Sequence, residues 1–349
     1  MSSNPADFPI HGGDLSVASR QFGDPPRGWL DLSTGINPRP YPIPEIPAEA
    51  FTRLPAPSQD IGLALQWFRP AVAWVVAGPG SELLIRLLPH ALPDATRVAV
   101  LGPTYGSHAA AWRSAGRTVV EIGELLHLPD DVSVLALANP NNPDGKRHDP
   151  RALVPVARAL AERGGALVID EAFADLAPEV SFGPYLRQAP AIILRSFGKF
   201  YGLPGLRLGV ATTVNRAIHD RLADLLGAWP VSGPAQFVAE NAVQDTAWAD
   251  DTRRYLAAAA ARLRTTLAAG GLRVVGGTDL FALVQHNEAR QVHVALAWQG
   301  VWTRVFAERP DWIRFGLPSE KDFPRFEEAI AKLVRDGLLP VPSGLTVVR

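Results

Sequence analysis

Lys199 stands in the stretch Ser196-Phe197-Gly198-Lys199-Phe200-Tyr201-Gly202-Leu203-Pro204-Gly205-Leu206-Arg207-Leu208-Gly209. Its flanking glycines let a backbone come close to a ligand. Ser196 lies on one side of the lysine and Arg207 on the other. A lysine that is to form a Schiff base needs a cramped, partly desolvated site, so that some of its amine is neutral. Serine and arginine are residue types that hold phosphate, arginine through its planar fork. An amine beside phosphate anchors points to pyridoxal 5'-phosphate. A surface lysine in a glycine-rich loop fits the same stretch, and for a lysine taken alone it is the commoner outcome. The rest of the chain has to decide.

Such a lysine must be carried by a fold that presents loops at one edge. Apolar strand-like runs fall at Ala73–Ala77, Arg97–Leu101, Val132–Ala138, Ala166–Ile169, Ala191–Leu194 and Leu208–Thr212. Helical segments fall between most of them, at Ile61–Phe68, Glu82–Leu88, Ser107–Ala115, Arg151–Glu162 and Asn215–Leu226. Strands apolar throughout and joined by helices predict an α/β domain, its mostly parallel sheet covered by helices on both faces. After residue 230 the pattern changes. A long Ala-rich helix over Ala247–Ala268 precedes strands at Arg273–Val275 and Leu280–Val284 and a helix near Ala289–Trp298. Strands Val301–Phe306 and Trp312–Phe315 and a last helix near Asp322–Leu333 follow, with Ser319 and Asp322 at capping-box spacing. The expected domains are an N-terminal arm, 1–40, joining the small domain, a large domain, 41–230, and a smaller α+β domain, 231–349. The tail Pro340–Arg349 reads as a poorly packed end.

In open parallel sheets, ligands bind beyond the carboxyl ends of the strands, and the polar candidates fall there. Gly78-Pro79-Gly80-Ser81 follows a strand and opens a helix whose free N–H groups suit a phosphate. A dinucleotide loop fits poorly, because Leu83 takes the third glycine position and Gly102 ends the next strand where an acid is needed. Tyr105 is an aromatic on which a pyridine ring can stack, or a core tyrosine. Asn142, in the rigid turn Asn139-Pro140-Asn141-Asn142-Pro143-Asp144-Gly145, can donate to a ligand oxygen or brace its own turn. Asp170 closes a buried strand, where a carboxylate needs a partner. A protonated pyridine nitrogen is one such partner and lets the ring accept electrons. Capping the following turn is the other role open to Asp170. Glu171 beside it reads as structural.

Composition narrows the classes. The 349 residues exceed one ordinary core, and the 47% hydrophobic and 20% charged fractions are those of a globular protein. A formal net charge of −1 argues against a general nucleic-acid or anionic-membrane surface. With no cysteine, disulfides, thiolate zinc sites and cysteine nucleophiles are excluded. The eight histidines show no pair at the spacing of a helical metal site, so no metal is expected. No signal-peptide pattern opens the chain and no run reaches the ~18 apolar residues of a membrane span. A cytoplasmic protein is the default.

The Asn139–Gly145 turn, together with Ser196-Phe197-Gly198-Lys199 and Gly205-Leu206-Arg207, resembles the signature motifs of the aspartate-aminotransferase superfamily, fold type I. The resemblance covers nearly all of the chain. It is nearest to the branch holding histidinol-phosphate aminotransferase and threonine-phosphate decarboxylase. His11-Gly12-Gly13, Leu32–Pro38, Asp170–Asp175, Lys199-Phe200-Tyr201-Gly202 and Arg309–Pro318 resemble the cobalamin-pathway threonine-phosphate decarboxylases in particular.

That resemblance implies pyridoxal phosphate bound as an imine to Lys199, with Asp170 on the ring nitrogen. It implies Tyr105 stacked on the ring and Asn142 donating to the ring hydroxyl oxygen and lying near the substrate. Gly80, Ser81, Glu82, Ser196 and Arg207 would hold the cofactor phosphate. Arg314 would grip the substrate α-carboxylate beside Gly35, although as an arginine alone it also fits the rim of the small domain. Arg304 and His11 are candidates for a phosphate on the substrate. A homodimer with its active site at the interface is also implied. Two departures stand out: Phe173 replaces the family's usual tyrosine, and the partner-subunit tyrosine expected near Leu54-Pro55 is absent. The implied reaction is decarboxylation of L-threonine O-3-phosphate. Transamination of a phosphorylated substrate such as histidinol phosphate is the rival, because the same residues serve either bond. A non-catalytic homologue that binds a partner enzyme is a third reading, and Lys199 and Asp170 weigh against it.

Overall fold

The structure is a computed structural model that describes residues 12–55, 73–125 and 128–339. The helix expected over 61–68, the tail from residue 340 and His11 lie outside the described residues. The chain divides into two compact units, Pro40–Asp250 and the described parts of Met1–Arg39 with Asp251–Arg349. The sequence reading places the second boundary at residue 230. The division falls at 250 because the helix over Gly233–Gln244, which that reading lacks, packs on the short helix Glu49–Thr52 inside the larger unit.

The described chain begins with α1 (Leu15–Phe22) and β1 (Leu30–Asp31). The sequence reading has an arm here and no helix. A helix forms instead because Leu15, Val17, Ala18 and Phe22 make an apolar stripe that packs on Ala297 and Trp302 within the smaller unit. Asp14 caps it by accepting the Ser16 N–H at 3.0 Å.

In the larger unit, α2 (Glu49–Thr52), β2 (Trp74–Gly78), α3 (Ser81–Ala91), β3 (Arg97–Leu101), α4 (Ser107–Ser114) and β4 (Thr118–Ile122) come first. Then follow β5 (Val134–Ala138), α5 (Pro150–Glu162), β6 (Ala166–Asp170), β7 (Ala191–Ser196), β8 (Gly209–Thr213), α6 (Arg216–Leu226) and α7 (Gly233–Gln244). Among the described residues, seven strands form one sheet ordered β2-β8-β7-β6-β5-β3-β4. The strands from β7 to β4 run parallel, whereas β8 is antiparallel to both of its neighbours. The alternation of the central strands explains why they read as apolar throughout. Val134, Ala136, Val168, Ile192 and Leu194 enter a core with Leu84, Leu88, Trp112 and Leu222. Leu135, Leu137, Leu167, Ile169 and Ile193 enter a second core with Leu153, Ala157 and Leu160 of α5. Truncating any one of these leucines costs about 2–5 kcal/mol. Edge strand β4 escaped the sequence reading because only one of its residues is buried, and Thr118 and Glu121 interrupt the apolar run.

Helix α8 (Thr246–Ala269) starts in the larger unit and ends in the smaller. After it come β9 (Arg273–Thr278), β10 (Phe281–Gln285), α9 (Ala289–Ala297), β11 (Val301–Trp302), β12 (Arg304–Val305), β13 (Trp312–Gly316) and α10 (Phe323–Arg335). The order β12-β13-β10-β9 is antiparallel, and β11 pairs with β1 in parallel. The single strand expected over Val301–Phe306 is thus two strands in different sheets, broken at Thr303. There Thr303 Oγ1 hydrogen-bonds His293 Nδ1 at 2.7 Å. The expected capping box is also not formed. Asp322 is the N-cap, but its carboxylate takes the Ser319 hydroxyl in place of a helix N–H. No helix among the described residues is long and apolar enough to cross a membrane.

Candidate active site

Strands β5, β6 and β7 end side by side, and their last residues and following turns deliver the polar groups. Asp170 is the final residue of β6 and is buried. Its Oδ1 accepts the Ala172 N–H at 3.0 Å, and its Oδ2 lies 3.1 Å from His108 Nε2. An ionised carboxylate can only accept, and the Nε2 tautomer of His108 supplies the donor for it. His108 is fully buried in α4, and its Nδ1 has no hydrogen-bond partner among the described residues. The sequence reading missed this histidine. The available signal was its place three residues after Tyr105, the only imidazole in an Ala-rich helix that follows a strand end.

Lys199 follows β7 in a turn closed by Gly202 N–H donating to the Lys199 carbonyl at 3.1 Å. Gly202 sits at φ 65°, open to glycine at little cost. The Lys199 amine is 5.9 Å from the centre of the Phe173 ring. Arg207 ends the following 3₁₀ turn in the left-handed region, φ 50° and ψ 53°, an uncommon conformation for a residue with a side chain. Its guanidinium lies against Gly80. A Cβ at Gly80 would fall 2.7 Å from Arg207 Nη2, and Gly80 itself has φ 86°. Gly209 is as constrained, since a Cβ there would meet the Ser81 nitrogen at 2.3 Å. Only glycine lets the start of α3 sit this close to β8.

The turn after β5 separates bracing from lining. Asn139 donates to the carbonyls of His148 and Val180 and accepts the His148 N–H. Asn141 donates to the Pro103 carbonyl and to Asp144 and accepts the Thr104 hydroxyl at 2.6 Å. These two asparagines hold the turn, and Asn142 lines the cavity. Tyr105 donates its hydroxyl to Glu82 Oε2 at 3.1 Å, while Arg86 Nε donates to Glu82 Oε1 at 2.8 Å. Burial pushes the Tyr105 phenol up to about 12, and it stays protonated. Glu82 lines the cavity with Gly80 and Ser81. Its carboxylate accepts from Tyr105 and Arg86, which leaves the backbone N–H at that position to face an anion.

Beneath the strand ends lies a buried ion cluster. Arg195 pairs with Glu171 at 2.8 Å and with Asp175 at 2.8 Å. Glu171 also accepts the Phe182 N–H and the Ser181 hydroxyl. Burial pushes the Glu171 carboxyl up, against the pull of Arg195 and these two donors. Removing one member of such a cluster costs about 3–5 kcal/mol, since it strands the others. Glu171 is structural, as its sequence reading expects.

Gly80, Ser81, Glu82, Tyr105, Asn142, Asp170, Ser196, Lys199 and Arg207 all line one cavity of about 170 Å³ in the larger unit. This donor set fits a phosphorylated pyridine aldehyde. An amine, a buried carboxylate and a helix start with serine and arginine face one space, and Gly80, having no Cβ, lets the Arg207 guanidinium lie against the helix start.

The remaining candidates belong to the smaller unit. Arg314 of β13 is buried, donates from Nη2 to the Ser33 carbonyl at 2.6 Å and lies 5.2 Å from the Phe281 ring centre. Gly316 N–H donates to the Leu32 carbonyl, so the segment leading to Gly35 is held against β13. Arg304 stands directly opposite Arg314 in the β12–β13 pair, which puts both side chains on one face of that sheet. His11 is outside the described residues.

A family model for aminotransferase class I and II matches residues 66–333, and the chain belongs to that family. It is 41% identical over 313 residues to a threonine-phosphate decarboxylase from Pseudomonas aeruginosa, covering 89% of this chain and 93% of that protein. A second threonine-phosphate decarboxylase, from Sinorhizobium sp, is 36% identical over 332 residues, covering 93% and 98%. The fold matches the crystal structure of the histidinol-phosphate aminotransferase from Clostridium acetobutylicum with a TM-score of 0.79 at 21% identity, over 88% of this chain and 99% of that one.

Proposed function

We propose that this chain is a pyridoxal-phosphate-dependent carboxy-lyase that converts L-threonine O-3-phosphate to (R)-1-aminopropan-2-ol phosphate, a step of cobalamin assembly. One observation carries the reading: Lys199 and Asp170 line the same cavity as a helix start, Ser196 and Arg207. The similarity to threonine-phosphate decarboxylases over most of the chain selects the substrate.

Each residue has a stated task. Ser81, Ser196, Arg207 and the N–H groups that open α3 bind the cofactor phosphate. Tyr105, fixed by Glu82, covers one face of the ring, and Asn142 donates to the ring hydroxyl oxygen. Asp170, held by His108 and Ala172, keeps a proton on the ring nitrogen. When bound, the cofactor supplies an electron sink for the substrate α-carbon. Lys199 delivers a proton to that carbon after carbon dioxide leaves. Arg314 takes the α-carboxylate beside Gly35, and Arg304, with His11, takes the substrate phosphate. The two arginines lie on one face of the β12–β13 pair, which suits a substrate that carries both a carboxylate and a phosphate.

Transamination of a substrate such as histidinol phosphate uses the same groups, and the family match keeps it as the second reading. Incubation with L-threonine O-3-phosphate separates the two. The proposed lyase releases carbon dioxide with no keto-acid present, and Lys199→Ala releases none. Turnover that depends on a keto-acid acceptor overturns the decarboxylase reading. We also propose a cytoplasmic homodimer. Ile43, Phe51 and Leu54 are 60%, 66% and 69% exposed within one short stretch, apolar surface suited to cover by a second copy. Sedimentation at a monomer mass rules out the dimer.

A further inference from the structure

The turn from Ser196 to Tyr201 has two faces. Ser196, Gly198 and Lys199 line the cavity, whereas Phe197, Phe200 and Tyr201 are buried and do not. These three rings build a ladder. Phe197 stacks on Tyr201 at 5.2 Å with planes 21° apart, and Tyr201 stacks on Trp248 at 5.7 Å and 12°. Phe200 meets Trp248 edge-on at 5.5 Å. Tyr41 meets the same indole edge-on at 5.1 Å, and its N–H donates to the Tyr201 carbonyl at 2.8 Å. Trp248 therefore touches both rings that follow Lys199 in sequence, and also the residue that ties down the Tyr201 carbonyl.

The turn needs such a support. Gly198 and Gly202 make its backbone permissive, so the peptide alone does not fix where the lysine points. A misplacement of about 1 Å at a reacting group is enough to cost a large part of its effect. Aromatic pairs prefer offset-stacked or edge-on arrangements and gain more than their buried area gives, so they favour one orientation. We propose that Trp248, at the head of α8, is a positioning residue that holds the Lys199 turn with its amine directed into the cavity. The inference rests on Lys199 being the residue that joins the cofactor.

Trp248→Ala, Trp248→Leu and Trp248→Phe test it, with Lys199→Ala as the control for the visible absorbance band. Each protein is stripped of pyridoxal phosphate and titrated with it, and the melting temperature of the stripped form is recorded. Trp248→Ala is expected to raise the dissociation constant about two- to tenfold, the usual worth of one aromatic contact. It is also expected to move the pH at which the visible band titrates, beside the loss of melting temperature that the cavity alone brings. Trp248→Phe keeps a ring face and restores most of both readouts. If Trp248→Ala does not fold, Trp248→Leu keeps the apolar bulk without a ring and stands in the same comparison. A lowered melting temperature with wild-type affinity and wild-type titration overturns the proposal, since a merely structural tryptophan behaves that way. Should wild type show no band that depends on Lys199, the cofactor reading itself fails, and the inference with it.

Discussion

Replacing His108 with leucine removes the imidazole that holds Asp170 from behind. The loss can be sized. Two donors serve the Asp170 carboxylate, the Ala172 N–H at 3.0 Å and His108 Nε2 at 3.1 Å, in a place where water does not reach the histidine. A hydrogen bond to a charged group contributes about 1.5–3 kcal/mol, and an acceptor left alone in a buried site forfeits most of it. If Asp170 must stay ionised and oriented to meet the ring nitrogen, that sum appears in cofactor binding as roughly a 10- to 150-fold loss. Leucine occupies similar space, so the void and its cost of a few kcal/mol, which alanine brings, are largely avoided. The assay is equilibrium titration of the stripped protein with pyridoxal phosphate, followed by absorbance, beside a melting curve. His108→Gln, which keeps a side-chain N–H, is expected to fall between leucine and wild type. Wild-type affinity in His108→Leu refutes the reasoning, because Asp170 would then need no support.

Gly80→Ala puts a methyl carbon 2.7 Å from Arg207 Nη2 at φ 86°, so Arg207 must move and cofactor affinity is expected to drop at least tenfold by the same titration. Phe173→Tyr returns a hydroxyl to a ring that stands 5.9 Å from the Lys199 amine. It is expected to lower the apparent pKa of the cofactor's visible band, and no drop, or a rise, in an absorbance titration counts against the assigned ring orientation. Burial, aided by Arg304, pushes His293 down to about 3. It therefore stays neutral in the folded protein while the unfolded chain takes up a proton below about 6.5. The stability this histidine contributes is whole above that pH and is lost as pH falls toward 3. Urea unfolding at pH 7 and pH 5 is expected to show wild type losing about 2 kcal/mol more than His293→Gln. Equal losses count against a buried neutral imidazole.

Much of the larger unit is legible in its residues. The central strands are apolar on both faces because helices cover both, and the cavity residues fall at strand ends, where polar groups interrupt apolar runs. Edge strand β4 is the counter-example, since half-exposed residues leave no run to read. Helix α1 was hidden by neighbouring glycines and prolines, and only its packing partners Ala297 and Trp302, distant in the chain, make it a helix. His108 was harder to read, because its one local mark, a lone imidazole after a strand end, does not point to its partner Asp170, 62 positions further along.

By itself the chain determined which chemical groups are present and in what order: the amine of Lys199, the acid of Asp170, and the serine and arginine that bracket the lysine. Residue type and spacing carry that information, since reactivity begins with the groups themselves. Tertiary structure decided which way the groups face and what stands behind them. Glu82 turned to Tyr105, His108 came up against Asp170, and Trp248 came up against the rings that follow Lys199. Each of those outcomes joins residues far apart in sequence, and only closing the sheet and packing its helices brings them within bonding distance.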